Sequence, residues 1–135
     1  MKAEEFKKFY EDADYFQWYG YQPLLNSFGK IVIQIEDNDY EGDSRILYKD
    51  DYKGLGFLMF GWGSCSGCDE FYGCNTFEEA EEFSNELESK IIWFKNKKEA
   101  LKWFRTHDWE GDWSYNDKNT KLFRKLCIEY FMHDD

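Results

Sequence analysis

The chain has 135 residues, 28 acidic against 17 basic, for a formal net charge of -11, and 42% of its residues are apolar, half of them aromatic. That length suits one hydrophobic core and predicts a single domain over residues 1–135, with Phe, Tyr and Trp able to fill it although the mean hydropathy is -0.81. The charge disfavours direct nucleic-acid binding, which depends on Lys and Arg displacing counterions from phosphates, and no run approaches the roughly 18 apolar residues of a membrane-spanning helix.

The elements are predicted in chain order. From Ala3 to Ala13, Phe6, Phe9 and Tyr10 recur at helical spacing among Glu and Lys. The N-terminal MKAEEFKKFYED alternates charge and offers no apolar signal core, so the expected location is the cytoplasm of the cell that makes it. Tyr15 to Phe28 holds the lone proline, Pro23, and predicts a loop with a short helix. Ile31, Ile33 and Ile35 alternate with Val32, Gln34 and Glu36 as in a half-buried strand. Turn chemistry follows from Asp37 to Asp43, then a strand at Arg45–Tyr48, a turn at Asp50, Asp51 and Gly54, and a strand at Leu55–Trp62. Thr76 with Glu79 is a capping-box pair that opens a helix ending near Lys90, with Phe77, Ala80, Phe83 and Leu87 on one face. Ile91–Phe94 reads as a fourth short strand. Asn96 with Glu99 caps the next helix, whose inward residues are Ala100, Leu101 and Phe104 and which stops at His107–Gly111. Leu122, Phe123, Leu126, Cys127 and Tyr130 line a C-terminal helix. The fold class is therefore α+β: a small antiparallel sheet of three to four strands packed with about four helices.

The segment from Gly61 to Cys74, GWGSCSGCDEFYGC, carries the chemistry. Two residues separate Cys65 from Cys68, a spacing that lets both sulfurs meet one tetrahedral ion. Gly63, Gly67 and Gly73 permit the tight backbone of a metal knuckle. Cys74, after five intervening residues and just before the Thr76 cap, adds a third thiolate. In a reducing cytosol such a cluster favours metal over disulfides, and zinc is the expected cofactor. The choices for a fourth ligand are His107, His133, Cys127 and Asp69. His107 is favoured because it ends its helix on the face shared with Trp103 and Phe104. Cys127 holds a core-facing position, where a buried free thiol is the commoner fate. Three thiolates and an imidazole would leave no position for substrate, so the site reads as structural and argues against an enzyme. A deaminase would need His-x-Glu ahead of Pro-Cys-x-x-Cys, and a phosphate-binding loop would need a Lys; neither pattern is present.

The helix from Phe77 to Lys90 carries Glu78, Glu79, Glu81, Glu82 and Glu86 away from its apolar stripe. These side chains suit a protein partner whose Arg and Lys normally hold nucleic acid; the same residues also suit a merely solvated helix. Trp109, Trp113 and Tyr115 in HDWEGDWSY read as a contact surface or, preferably, as packing under the C-terminal helix.

The run GWGSCSGCDEFYGC, the acidic helix after it, IIWF and HDWEGDWSY together resemble a family of small bacterial and phage proteins with a Gly-Ser-Cys-Ser-Gly-Cys-Asp core, over about Asp43 to Tyr115. Within that set the chain looks like the anti-CRISPR proteins of streptococcal prophages that disable type II CRISPR effector nucleases. The resemblance implies a zinc-containing inhibitor that binds the nuclease and keeps target DNA from being loaded. Two other classes stay open on the residues alone: a zinc-dependent hydrolase or nucleic-acid-modifying enzyme with an open metal position, and a bacterial regulatory adaptor working through the acidic helix.

Overall fold

A computed structural model describes residues 21–37, 42–62, 74, 76–109 and 117–133. The helix expected from Ala3 to Ala13 lies outside them. Contacts between Cα atoms divide the chain into two compact units, Met1–Gly29 with Trp62–Lys90 and Lys30–Gly61 with Ile91–Asp135. The class is α+β, with a four-stranded antiparallel sheet in the order β1-β2-β3-β4.

In the unit Met1–Gly29 with Trp62–Lys90, helix α1 (Gln22–Asn26) starts with Pro23 in its first turn, where a missing amide costs nothing, and buries Leu24 and Leu25. Helix α2 (Phe77–Ser89) begins at Thr76, whose hydroxyl accepts from the Glu79 amide at 3.1 Å. Its buried positions are Ala80, Ser84 and Leu87; Phe77 and Phe83 are half-buried, and the Phe83 ring meets Tyr21 at 6.1 Å.

The unit Lys30–Gly61 with Ile91–Asp135 holds the sheet: β1 (Lys30–Glu36), β2 (Gly42–Asp50), β3 (Gly54–Trp62) and β4 (Ile92–Phe94), with α3 (Lys97–Thr106) and α4 (Asp117–Met132). Leu47, Leu55, Phe57 and Phe94 from the sheet join Ala100 and Phe104 of α3, Trp109, and Phe123, Cys127 and Phe131 of α4 in one core. Phe57 is the centre, with its ring 5.3 Å from Phe104, 5.4 Å from Trp109 and 5.5 Å from Phe123. Ile46, Tyr48 and Leu58, on the alternate positions of β2 and β3, are buried as well, which explains why these strands read as nearly continuous apolar runs.

Two expectations are corrected. Ile31 pairs with Tyr48 but Ile33 pairs with Leu47, so a bulge at Val32 interrupts the alternation and lets Val32, Ile33 and Ile35 all pack against the core. Of the expected α4 stripe, Phe123 and Cys127 are buried and Tyr130 packs half-buried against the core, whereas Leu122 is 43% exposed and Thr120 and Phe131 complete the buried face. The C-terminal stripe is therefore rotated by about one residue from the expected one.

Turns are locked by side chains. The Asp50 carboxylate accepts from the amides of Tyr52 and Lys53, both at 2.8 Å, and these bonds hold its pKa below the usual range. Gly54 has φ +95°, and a Cβ there would sit 2.1 Å from the Phe94 carbonyl oxygen, so only glycine lets β4 lie this close.

Arg45 is fully buried, which sequence pattern alone did not anticipate. Its Nη1 donates to Asp37 Oδ1 at 2.8 Å and its Nε to Thr120 Oγ1 at 2.9 Å. Asn119 Nδ2 reaches the same Asp37 oxygen at 2.8 Å, and the Asp43 amide donates to the other at 2.9 Å. Burial alone would raise the Asp37 pKa, but these bonds and the guanidinium charge outweigh it and leave it lowered. The cluster ties the start of α4 to the β1–β2 connection.

Candidate functional site

Cys65, Cys68 and Asp69 lie outside the described residues, as do Trp113 and Tyr115. Cys74 is half-buried and sits two residues before the Thr76 cap, in the unit that contains α2. His107 belongs to the other unit, at the C-cap of α3, where its amide donates to the Trp103 carbonyl at 2.9 Å. Its ring stacks on Trp103 at 4.1 Å and meets Trp109 edge-on at 5.4 Å. Cys127 is buried in the aromatic core, and burial pushes its thiol pKa well up, so the protonated, core-filling state is the one the site supports. His133 is exposed, with its carbonyl accepting from Lys97 Nζ at 2.9 Å. Among the described residues no group of three His, Cys, Asp or Glu is close enough to hold an ion. The donor chemistry of Cys65, Cys68 and Cys74, three soft thiolates, suits three of the four positions of a tetrahedral zinc site.

The acidic residues of α2 form an ordered surface. Glu78, Glu82 and Glu86 are exposed and recur every four residues, so they share one side of the helix; Glu79 is exposed beside them and Glu81 is half-buried. No Lys or Arg occurs between Phe77 and Ser89. Glu78 and Glu79 fall in the first turn, where the helix dipole favours negative charge, but Glu82 and Glu86 lie beyond it.

A second charged surface was hidden by the net charge. The inward residues of α3 are Ala100 and Phe104, and those of α4 are Thr120, Phe123, Cys127 and Phe131. On the opposite sides of these helices stand exposed Lys98, Lys102 and Arg105 on α3 and Lys118, Lys121 and Lys125 on α4. Arg105 Nη2 reaches Met132 Sδ of α4 at 3.4 Å, and Arg124 Nε donates to the Phe104 carbonyl at 3.2 Å, so the two helices form one layer. Among the described side chains, the exposed carboxylates of these two helices are Glu99 and Glu129, with exposed Asp108 just past the C-cap of α3. The helical periods of these lysines were legible in the sequence once each inward face was known.

Trp109 is buried, and its Nε1 donates to the Phe104 carbonyl at 2.9 Å, which settles it as packing at the end of α3. No helix among the described residues is long and apolar enough to cross a membrane. Compared with protein-family models, with curated proteins and with solved structures, the chain matches none.

Proposed function

We propose that the protein is an anti-CRISPR inhibitor that binds a type II RNA-guided effector nuclease and prevents target DNA from loading, with no chemical turnover of its own. The observation that carries this reading is the row Glu78, Glu82 and Glu86, flanked by Glu79 and Glu81, on a helix without a cation. Like charges four residues apart destabilise an isolated helix by about 0.2–0.5 kcal/mol per pair. A row of like charges with no Lys or Arg in its own helix is understandable where it faces a cationic partner, and a DNA-binding channel lined with Lys and Arg is such a partner. The resemblance of the GSCSGCD run to prophage inhibitors points to the same partner.

In this reading one zinc ion, held by Cys65, Cys68 and Cys74, is a structural cofactor. It would fix the segment that leads into the Thr76 cap and so the start of the acidic helix. Elemental analysis of untagged protein should find one zinc per chain, lost in Cys65→Ser or Cys68→Ser and kept in Cys127→Ala. Metal-free native protein would remove this part of the proposal.

The functional test is target-DNA binding by the guide-loaded nuclease in the presence of increasing protein. Inhibition should be stoichiometric, stronger at low salt, and weakened by Glu78→Lys/Glu82→Lys. Unchanged DNA loading at large molar excess rejects the reading, and inhibition at far below one protein per nuclease would favour an enzyme instead.

A further inference from the structure

The outward side of the α3–α4 layer has the opposite sign to the molecule as a whole. Lys98, Lys102 and Arg105 follow one another at four and three residues, and Lys118, Lys121 and Lys125 at three and four, so each set forms a row on its helix. All six are exposed, while the inward positions of the same two helices are fixed by the aromatic core. The protein thus displays a local cationic ridge within a chain of net charge -11.

We propose that this ridge is a polyanion-binding surface that contacts the phosphate backbone of the guide RNA carried by the nuclease, an assignment that rests on the function proposed above. An effector nuclease is a ribonucleoprotein: its basic channel attracts an acidic inhibitor, but its RNA phosphates repel one. A cationic layer on the inhibitor turns that repulsion into attraction at the places where RNA is exposed. The composition of the ridge selects backbone over base recognition. Its outward residues include no aromatic ring on which a base would stack, and the exposed apolar side chains of α4 are Leu122 and Met132 alone among those described. An acidic protein partner would call for a cluster of aromatic or aliphatic anchors at the centre of the contact, whereas the exposed Leu122 and Met132 stand about 15 Å apart along α4 and form no such cluster. The remote carboxylates do not cancel the ridge at working salt, because the Debye length is about 10 Å at 0.1 M.

The test uses full-length protein and fluorescently labelled guide RNA, free in solution, with anisotropy followed from 0.1 M salt upward. The wild-type chain should bind, and the logarithm of affinity should fall linearly with that of salt concentration. Lys98→Glu/Lys102→Glu and Lys121→Glu/Lys125→Glu should each weaken binding by roughly tenfold or more, equally for unrelated RNA sequences, and lower the slope by about 0.7 for each phosphate contact removed. The Lys→Gln versions should shift it less in the same direction, and circular dichroism should show all four variants folded. Absence of RNA binding by the wild type, affinity unchanged in the variants, or binding of labelled polyglutamate without binding of RNA would overturn the assignment; the last would identify an acidic protein as the ligand. The two readings fail separately. If RNA is bound through the ridge but target-DNA loading is not inhibited, the nuclease-inhibitor function falls and the ridge stands. If loading is inhibited with full potency by ridge variants and RNA is not bound, the ridge falls and the inhibitor stands.

Discussion

Helices α2 and α3 open with the same device and carry opposite surfaces. Thr76 Oγ1 accepts from the amide of Glu79 at 3.1 Å, and Asn96 Oδ1 accepts from that of Glu99 at 2.9 Å. Downstream of that shared start, α2 has no cation, whereas α3 carries Lys98, Lys102 and Arg105 on its outward side. The difference teaches that capping decides where a helix begins and says nothing of what its surface meets. Net charge is equally silent: a value of -11 coexists with a cationic layer because charges act locally once salt screens them beyond about 10 Å.

The hardest blow to this contrast removes the frame behind the cationic side. Asp37→Ala leaves the fully buried Arg45 without its 2.8 Å carboxylate partner and strips Asn119 of an acceptor, at a cost of about 3–5 kcal/mol in chemical denaturation. Asp43→Ala should cost less than about 1 kcal/mol, because its carboxylate stands 3.9 Å from the guanidinium and is partly exposed. The pH dependence has a defined sign. Asp37 is lowered in the folded state, so its stabilisation is fully present above the ordinary carboxylate value of about 4 and disappears as pH falls through the lower folded value. Asp43 runs the other way: burial raises it, and it offsets part of that loss by taking up its proton earlier in an acid titration. An acid-unfolding profile that is the same for wild type and Asp37→Asn would show that the pair does not govern acid stability.

Next in size is Gly54→Ala. The added Cβ would meet the Phe94 carbonyl at 2.1 Å on a backbone with φ +95°, so β3 and β4 must separate, and a loss of more than about 1 kcal/mol is expected. Since β4 leads directly into the Asn96 cap, the loss should be accompanied by faster amide exchange in α3.

The capping symmetry can be tested directly. Thr76→Ala and Asn96→Ala should each cost about 1 kcal/mol in thermal or chemical unfolding. Asn96 has additional help: Glu99 Oε2 accepts from the Lys95 amide at 3.1 Å, a return bond that reaches one residue before the cap. A cost at Thr76 well above that at Asn96 would mean that the first cap is reinforced by the preceding Cys74 segment, as zinc binding would require.

What could be read from the sequence follows from the range of the forces involved. Both caps, the turn at Asp50–Gly54 and the strand at Leu55–Trp62 depend on residues near one another in the chain, and each was found where expected. The Val32 bulge was not, because Ile31, Ile33 and Ile35 alternate perfectly and only the pairing with Tyr48 and Leu47 displaces them. Arg45 was hidden for the same reason. Its partner Thr120 is 75 positions away, and nothing local distinguishes a buried arginine from an exposed one. Of the candidate metal ligands, Cys74 and His107 have described surroundings and Cys65 and Cys68 do not, so the knuckle rests on spacing and thiolate chemistry.

The smallest expected effect gives the most direct information about function. Glu82 has Glu78 four residues before it, Glu86 four after and Glu79 three before. Glu82→Gln therefore relieves several repulsions and should raise stability by a few tenths of a kcal/mol, a small increase in midpoint temperature. On α3 the corresponding change, Lys102→Gln, should raise stability less, because the repulsion from Lys98 four residues before and Arg105 three after is partly offset by Glu99 three before. If α2 is a binding surface, Glu82→Gln must weaken inhibition of DNA loading while it stabilises the free protein. Stability and binding that move in opposite directions identify a residue kept for a partner, since neutralising a residue kept for folding would lower stability and neutralising one kept for solvation would leave binding unchanged. Equal potency of Glu82→Gln and wild type at low salt would return the row to the role of a soluble helix face.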